Sequence, residues 1–132
     1  MKRRTYINAM LAAIVGTKMV PAQSAPAKNP IVLYCDLTVT PEKESEMLNN
    51  FHNTFKPAAV KFPGYIDVKL LKLRKVYTGS APAGVNYRFQ LTYESEEARQ
   101  KWIGADIHKR VWPTVENTLA NKNYSTLLFD SM

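Results

Sequence analysis

The sequence predicts an α+β domain built on a four-stranded antiparallel sheet with both helical regions on one face, and three observations predict it. Two stretches alternate in side-chain character: Ile31, Leu33, Cys35, Leu37 and Val39 share one face of the first, and Val85, Tyr87, Phe89, Leu91 and Tyr93 share one face of the second. Each stretch runs directly into helix-start signals, Thr40-Pro41 with Glu42 and Glu44 after the first and Ser95 with Glu96 and Glu97 after the second. Two further strand-like segments complete the order strand, helix, strand, strand, helix, strand.

The domain itself is placed at 28–132, after a leader at 1–27. Lys2, Arg3 and Arg4 form a basic start, Tyr6–Val20 is mostly apolar, and Ala22-Gln23-Ser24 or Ala25-Pro26-Ala27 offers small residues for cleavage. The pair Arg3-Arg4 followed by Thr5-Tyr6-Ile7 resembles a twin-arginine signal, so the expected destination is periplasmic or secreted. Asn8 and Lys18 interrupt the apolar run, which is too short to be a stable membrane anchor.

The first strand is read at Ile31–Val39, with Tyr34, Asp36 and Thr38 on its more polar face. The helix that follows carries Met47, Leu48, Phe51, Phe55 and Ala59 on one stripe, and Pro57 is expected to kink it or to start a short second segment. Phe62-Pro63-Gly64-Tyr65 is a turn into a second strand, where Ile66, Val68 and Leu70 alternate with Asp67 and Lys69. The phase slips at Leu71 and Leu73, which predicts a bulge or a strand buried on both faces. Thr78–Gly84 reads as a hairpin loop and Val85–Tyr93 as the third strand.

The region after Ser95 is where functional residues concentrate. Ala98 and Trp102 share a helix face, Gly104 predicts a break, and Ile107, Val111, Val115 and Leu119 then recur every four residues. His108 and Trp112 are also four apart, one position round from that stripe, on the shoulder where a pocket edge usually lies. A lone His in such a place is more often a partly exposed helix residue, and a Trp more often core. The helical region is read to Asn121, and Tyr124–Phe129 is the last strand.

Charge excludes less than it first suggests. The net charge of +7 includes Lys2, Arg3, Arg4 and Lys18 in the leader, which leaves 14 basic against 11 acidic residues, about +3, in the domain. No phosphate-tracking stripe is evident, so nucleic acid is not an expected partner. His52 and His108 lie on different helices and no metal-binding spacing occurs, so no metal is expected. Cys35 is the single cysteine, which rules out an intrachain disulfide, and it reads as a buried small hydrophobe.

This element order is the split-βαβ, ferredoxin-like pattern. Two helices cover one sheet face, and in a unit this small the other face is best buried against a second copy, so a homodimer is expected. The chain also resembles the antibiotic-biosynthesis monooxygenase type of the dimeric α/β-barrel proteins. The proline-started first helix, the Phe62-Pro63-Gly64-Tyr65 turn, the strand Asn86–Tyr93 running into Glu94-Ser95-Glu96-Glu97-Ala98, and Trp102 followed by His108 carry the resemblance.

The resemblance implies a pocket between sheet and helices, and members that oxidise quinol or phenol substrates without a cofactor. Haem-degrading members use an Asn on the first strand, with a Trp and a His on the second helix. Ile31–Val39 contains no Asn and the Trp-to-His spacing differs, which weighs against haem cleavage. Cofactor-free chemistry needs a base and aromatic walls. His108 is the candidate base, since its ordinary pKa suits work near neutrality. Trp102, Trp112, Tyr34 and Phe55 are candidate walls, with Asp36 a further substrate-binding candidate on the first strand. Arg88 or Gln90 would bind a substrate oxygen if the polar strand face reaches the pocket, and would otherwise hydrogen-bond across a dimer interface. The competing expectation is a non-catalytic exported module that binds a small ligand or a protein partner.

Overall fold

A computed structural model describes residues 29–132, so the leader read at 1–27 lies outside the described residues. The elements are β1 Ile31–Leu37, α1 Pro41–Asn50, a π-helical turn Phe51–Phe55, α2 Lys56–Ala59, β2 Tyr65–Lys72, β3 Tyr87–Tyr93, α3 Glu96–Gly104, α4 Asp106–Glu116 and β4 Ser125–Asp130. The strands form one antiparallel sheet in the order β2-β3-β1-β4. Both helical regions pack on the same face, as the sequence predicts for a ferredoxin-like α+β unit.

That face carries the odd-numbered residues of β1 and β3. Leu33, Cys35, Leu37, Tyr87, Phe89, Leu91 and Tyr93 are buried there against Met47, Phe51, Phe55, Trp102, Val111 and Val115. Burying large aromatic side chains removes the most apolar surface from water per residue, so this layer is the main source of stability.

Several local details differ from the sequence reading. Strand β1 ends at Leu37 although Val39 is buried, because the Asn86 side chain takes over the pairing. Val39 N–H donates to Asn86 Oδ1 at 2.9 Å and Asn86 Nδ2 donates to the Val39 carbonyl at 2.7 Å. β3 accordingly starts at Tyr87 instead of Val85.

Pro57 stands in the first turn of the short second segment α2, and the chain continues helically into it. A wide π turn precedes it, accommodating the missing N–H, and keeps both Phe51 and Phe55 in the core. The β2 irregularity lies between Tyr65 and Asp67, not after Leu70. Leu70 and Leu71 pair with Phe89 and Arg88 in unbroken register, so they point to opposite faces; Leu70 is half-buried and Leu71 exposed.

The second helical region begins and breaks where expected. Ser95 Oγ accepts from Ala98 N–H at 3.1 Å, and the backbone turns extended at Ala105 after Gly104. α4 ends at Glu116, short of Asn121. The preceding turn is fixed by Gly64 at φ +92°, whose carbonyl accepts from Glu94 N–H at 2.8 Å. A Cβ at Gly64 would lie 2.6 Å from Ala98 Cβ, so glycine is required both by backbone and by contact with α3.

Candidate functional site: an aromatic cavity under the second helical region

Between the sheet and helices α3 and α4 lies a cavity of about 140 Å³, bounded by Leu33, Cys35, Phe89 and Leu91 below and by Phe55, Trp102, His108 and Trp112 above. Arg99, Ile103, Tyr124 and Thr126 complete the wall. The break after Gly104 separates α3, which brings Arg99 and Trp102, from α4, which brings His108 and Trp112.

The aromatic rings hold one another in edge contacts. Trp102 stands 5.0 Å from the His108 ring at 83° and 5.8 Å from Phe55, while Trp112 lies 5.1 Å from Phe89 and 5.4 Å from Phe55. Trp112 Nε1 donates to Tyr124 Oη at 3.2 Å, and Tyr124 Oη donates to Glu116 Oε2 at 2.6 Å. Trp102 is fully buried, yet its Nε1 meets no acceptor among the described residues. An orphaned buried donor is uncommon and is a reason to look for a ligand.

The electrostatics suit a neutral base. Burial holds the half-buried His108 imidazole below its ordinary pKa, the nearby Arg99 charge acts in the same direction, and Glu116 opposes them. Arg99 is deeply set for an arginine, with 11% of its side chain exposed, and pairs with Glu96 through Nε at 2.7 Å and Nη2 at 2.8 Å. Burial pushes the Cys35 thiol up to about 11, with the Thr126 contact acting against it, so Cys35 is a wall and not a nucleophile. Burial and the bond to Glu116 also raise Tyr124, keeping it a phenol.

The structure divides the sequence-predicted set in two. His108, Trp102, Trp112 and Phe55 meet at the cavity. Tyr34, Asp36, Arg88 and Gln90 do not, because strand alternation turns the even positions of β1 and β3 to the opposite face. There, Asp36 and Arg88 form a bidentate pair at 2.7 and 3.1 Å, Arg88 lies 4.9 Å over the Tyr34 ring, and Tyr34 packs edge-on against Phe129. A larger hollow of about 400 Å³ under the β2–β3 connection includes Asp36, Tyr87 and Arg88 in its wall. It is larger but holds no histidine, and its one carboxylate, Asp36, is already paired with Arg88.

Arg99, Tyr124 and Glu116 were not singled out in the sequence. Arg99 had a signal, being three residues before Trp102 on one helix, whereas Tyr124 reaches the site from a connection whose path no periodicity reveals. His52 is exposed on the π turn, away from the cavity.

No protein-family model matches the chain, and no curated protein matches its sequence. Solved structures do match. A provisionally named antibiotic biosynthesis monooxygenase from Caulobacter crescentus is 21% identical, with 80% of this chain and 92% of that one covered at a TM-score of 0.61. A variant of SnoaB, a cofactor-independent oxygenase from Streptomyces nogalater, is 14% identical over 78% of this chain and 91% of that one, at a TM-score of 0.56. The domain shares the fold of these two proteins. A dimeric ferredoxin-like protein of unknown function from Jannaschia shares it, at 14% identity and a TM-score of 0.60 over 79% of this chain and 98% of that one. Identities this low carry the fold alone; chemistry must be argued from the cavity. Among the described residues no cluster of His, Cys, Asp and Glu could hold a metal ion, and no helix is long and apolar enough to cross a membrane.

Proposed function

We propose that this protein is an exported, cofactor-independent monooxygenase-like enzyme acting on a small quinol- or phenol-type substrate in the cavity beneath α3 and α4. The observation that carries the reading is a half-buried imidazole, held neutral, edge-on to a fully buried Trp in an aromatic cavity. A cavity near 150 Å³ can hold one benzene-sized ring, so about 140 Å³ favours a single-ring substrate over a polycyclic one.

His108 would accept the phenol proton, and the aromatic walls would exclude water while the phenolate passes an electron to oxygen. In such a conversion a phenol C–H becomes a quinone carbonyl. The substrate supplies four electrons; one oxygen atom enters the product and the other leaves as water. The leader supports export by the twin-arginine route, and N-terminal sequencing of protein from an extracytoplasmic fraction tests it, with intact Met1 confined to the cytosol as the contrary result.

The open sheet face supports pairing with a second copy. Leu71, Leu127 and Phe129 are exposed on it around the Asp36–Arg88 pair, and sedimentation at micromolar concentration should give a dimer. A monomer would remove that part of the proposal.

One observation favours the alternative, a non-catalytic exported module that binds a small ligand or a protein partner: among the described residues His108 has no hydrogen-bonded carboxylate to fix its tautomer. Oxygen uptake separates the two. The metal-free protein should consume oxygen with simple phenols and quinols above the uncatalysed rate if it is an enzyme, and bind them without consumption if it is not.

A further inference from the structure

The cavity has an excess of hydrogen-bond donors, and this inference rests on the cavity being the ligand site. Trp102 Nε1 has no acceptor among the described residues. Arg99 spends Nε and Nη2 on Glu96, while Nη1 makes no hydrogen bond there. Apart from the His108 imidazole, the acceptors of the wall are already engaged, since Tyr124 Oη receives Trp112 and gives its proton to Glu116, and Thr126 Oγ1 contacts Cys35.

An i,i+3 pair with Glu96 does not require such burial of Arg99, because pairs of this kind work on exposed helix surfaces. Arg99 is itself part of the cavity wall. A buried arginine whose only charged partner sits toward solvent is suited to a second, acceptor-rich partner from the cavity side.

We propose that the cavity selects an anionic single-ring aromatic, a phenol that also bears a carboxylate, with Arg99 as the specificity-determining residue for the acidic group. Phe55, Phe89 and Trp112 would hold the ring, and Trp102 Nε1 supplies the second donor. Glu96 competes with the ligand for Arg99, and Glu116, held by Tyr124 of the wall, adds a further negative charge behind it, so a monoanion is favoured over a dianion.

The experiment is a titration of the full-length chain followed by intrinsic fluorescence, since both tryptophans line the cavity. The probes are 4-hydroxybenzoate, its neutral isostere 4-hydroxybenzamide, and phenol, at pH 7.5. The benzoate should bind about 10-fold or more tightly than the amide, as expected for one charge-assisted contact. Arg99→Gln should bring that ratio close to one, Arg99→Lys should restore part of it, and Glu96→Gln should widen it. Equal binding of benzoate and amide by the native protein overturns the proposal while leaving the cavity reading intact, as does a ratio that survives Arg99→Gln. Binding of none of the three overturns the proposal together with the cavity reading. Circular dichroism of each variant shows that a lost ratio is not a lost fold.

Discussion

Both faces of the sheet carry aromatic side chains, yet only the helix-covered one gathers them with an imidazole around a cavity. On the helix-covered face, Phe55, Trp102 and Trp112 arch over Phe89 and Leu91, and His108 is enclosed with them. On the open face, Asp36 and Arg88 pair with each other and Arg88 lies over the Tyr34 ring, with Gln90 opposite Tyr34 in the register. The same residue types therefore serve different ends. Desolvation that can hold an imidazole neutral and shield a phenolate needs walls on several sides, and a single sheet surface cannot supply them. A flat face with a bidentate ion pair at its centre and apolar residues around it suits another flat face.

The largest test of that contrast is in stability. Trp102→Ala should cost about 3–5 kcal/mol in denaturant unfolding, as for a large buried aromatic, whereas Phe129→Ala, half exposed within one subunit, should cost below about 1 kcal/mol in any monomeric state. Equal costs would mean that the two faces are equally buried. Next comes activity: under the enzymatic reading His108→Ala should lower turnover about 10²-fold while leaving the fold unchanged, and Gln90→Ala on the other face should not lower it comparably. Arg88→Ala should destabilise by about 1–3 kcal/mol, because it strands the Asp36 carboxylate at 6% exposure; a replacement that costs nothing would show that water already reaches Asp36.

The smallest effect is on the pH dependence. Burial and Arg99 disfavour the imidazolium of His108 in the folded chain, whereas in the unfolded chain it takes a proton near pH 6.5. The stability due to neutral His108 is therefore fully present above about pH 6.5 and is lost as pH falls through the lower folded value. Comparing urea midpoints of native protein and His108→Gln from pH 7.5 to 5 isolates this part. The native protein should lose more stability on acidification than the variant; parallel curves would contradict it.

Much of this was legible in the sequence, for identifiable reasons. Alternation gave β1 and β3 their faces, Ser95 marked the start of α3, and Gly104 marked the break that separates Trp102 on α3 from His108 on α4. The same alternation could have assigned Tyr34, Asp36, Arg88 and Gln90 to the far face, since they hold even positions opposite a core of odd ones. For Arg88 and Gln90 the far face stands among the sequence expectations as the alternative to the pocket, whereas Tyr34 and Asp36 are grouped with His108 on residue chemistry alone. The π turn before Pro57 was not legible, because a proline signals a disturbance without saying how neighbouring residues absorb it. Nor were the Asn86 bridge to Val39 and the Tyr124–Glu116 contact, which depend on tertiary placement that local spacing does not encode.

The central claim is that a small phenol occupies the cavity under α3 and α4 and not the open face. Nitrogen-15 spectra of the labelled protein can follow the indole N–H groups of Trp102 and Trp112 beside the Arg88 Nε–H and the Gln90 amide, during titration with phenol. The account predicts saturable shifts of both indole signals, with Arg88 and Gln90 unmoved. Shifts at Arg88 and Gln90 with both indoles unchanged would contradict it and place the site on the other side of the sheet.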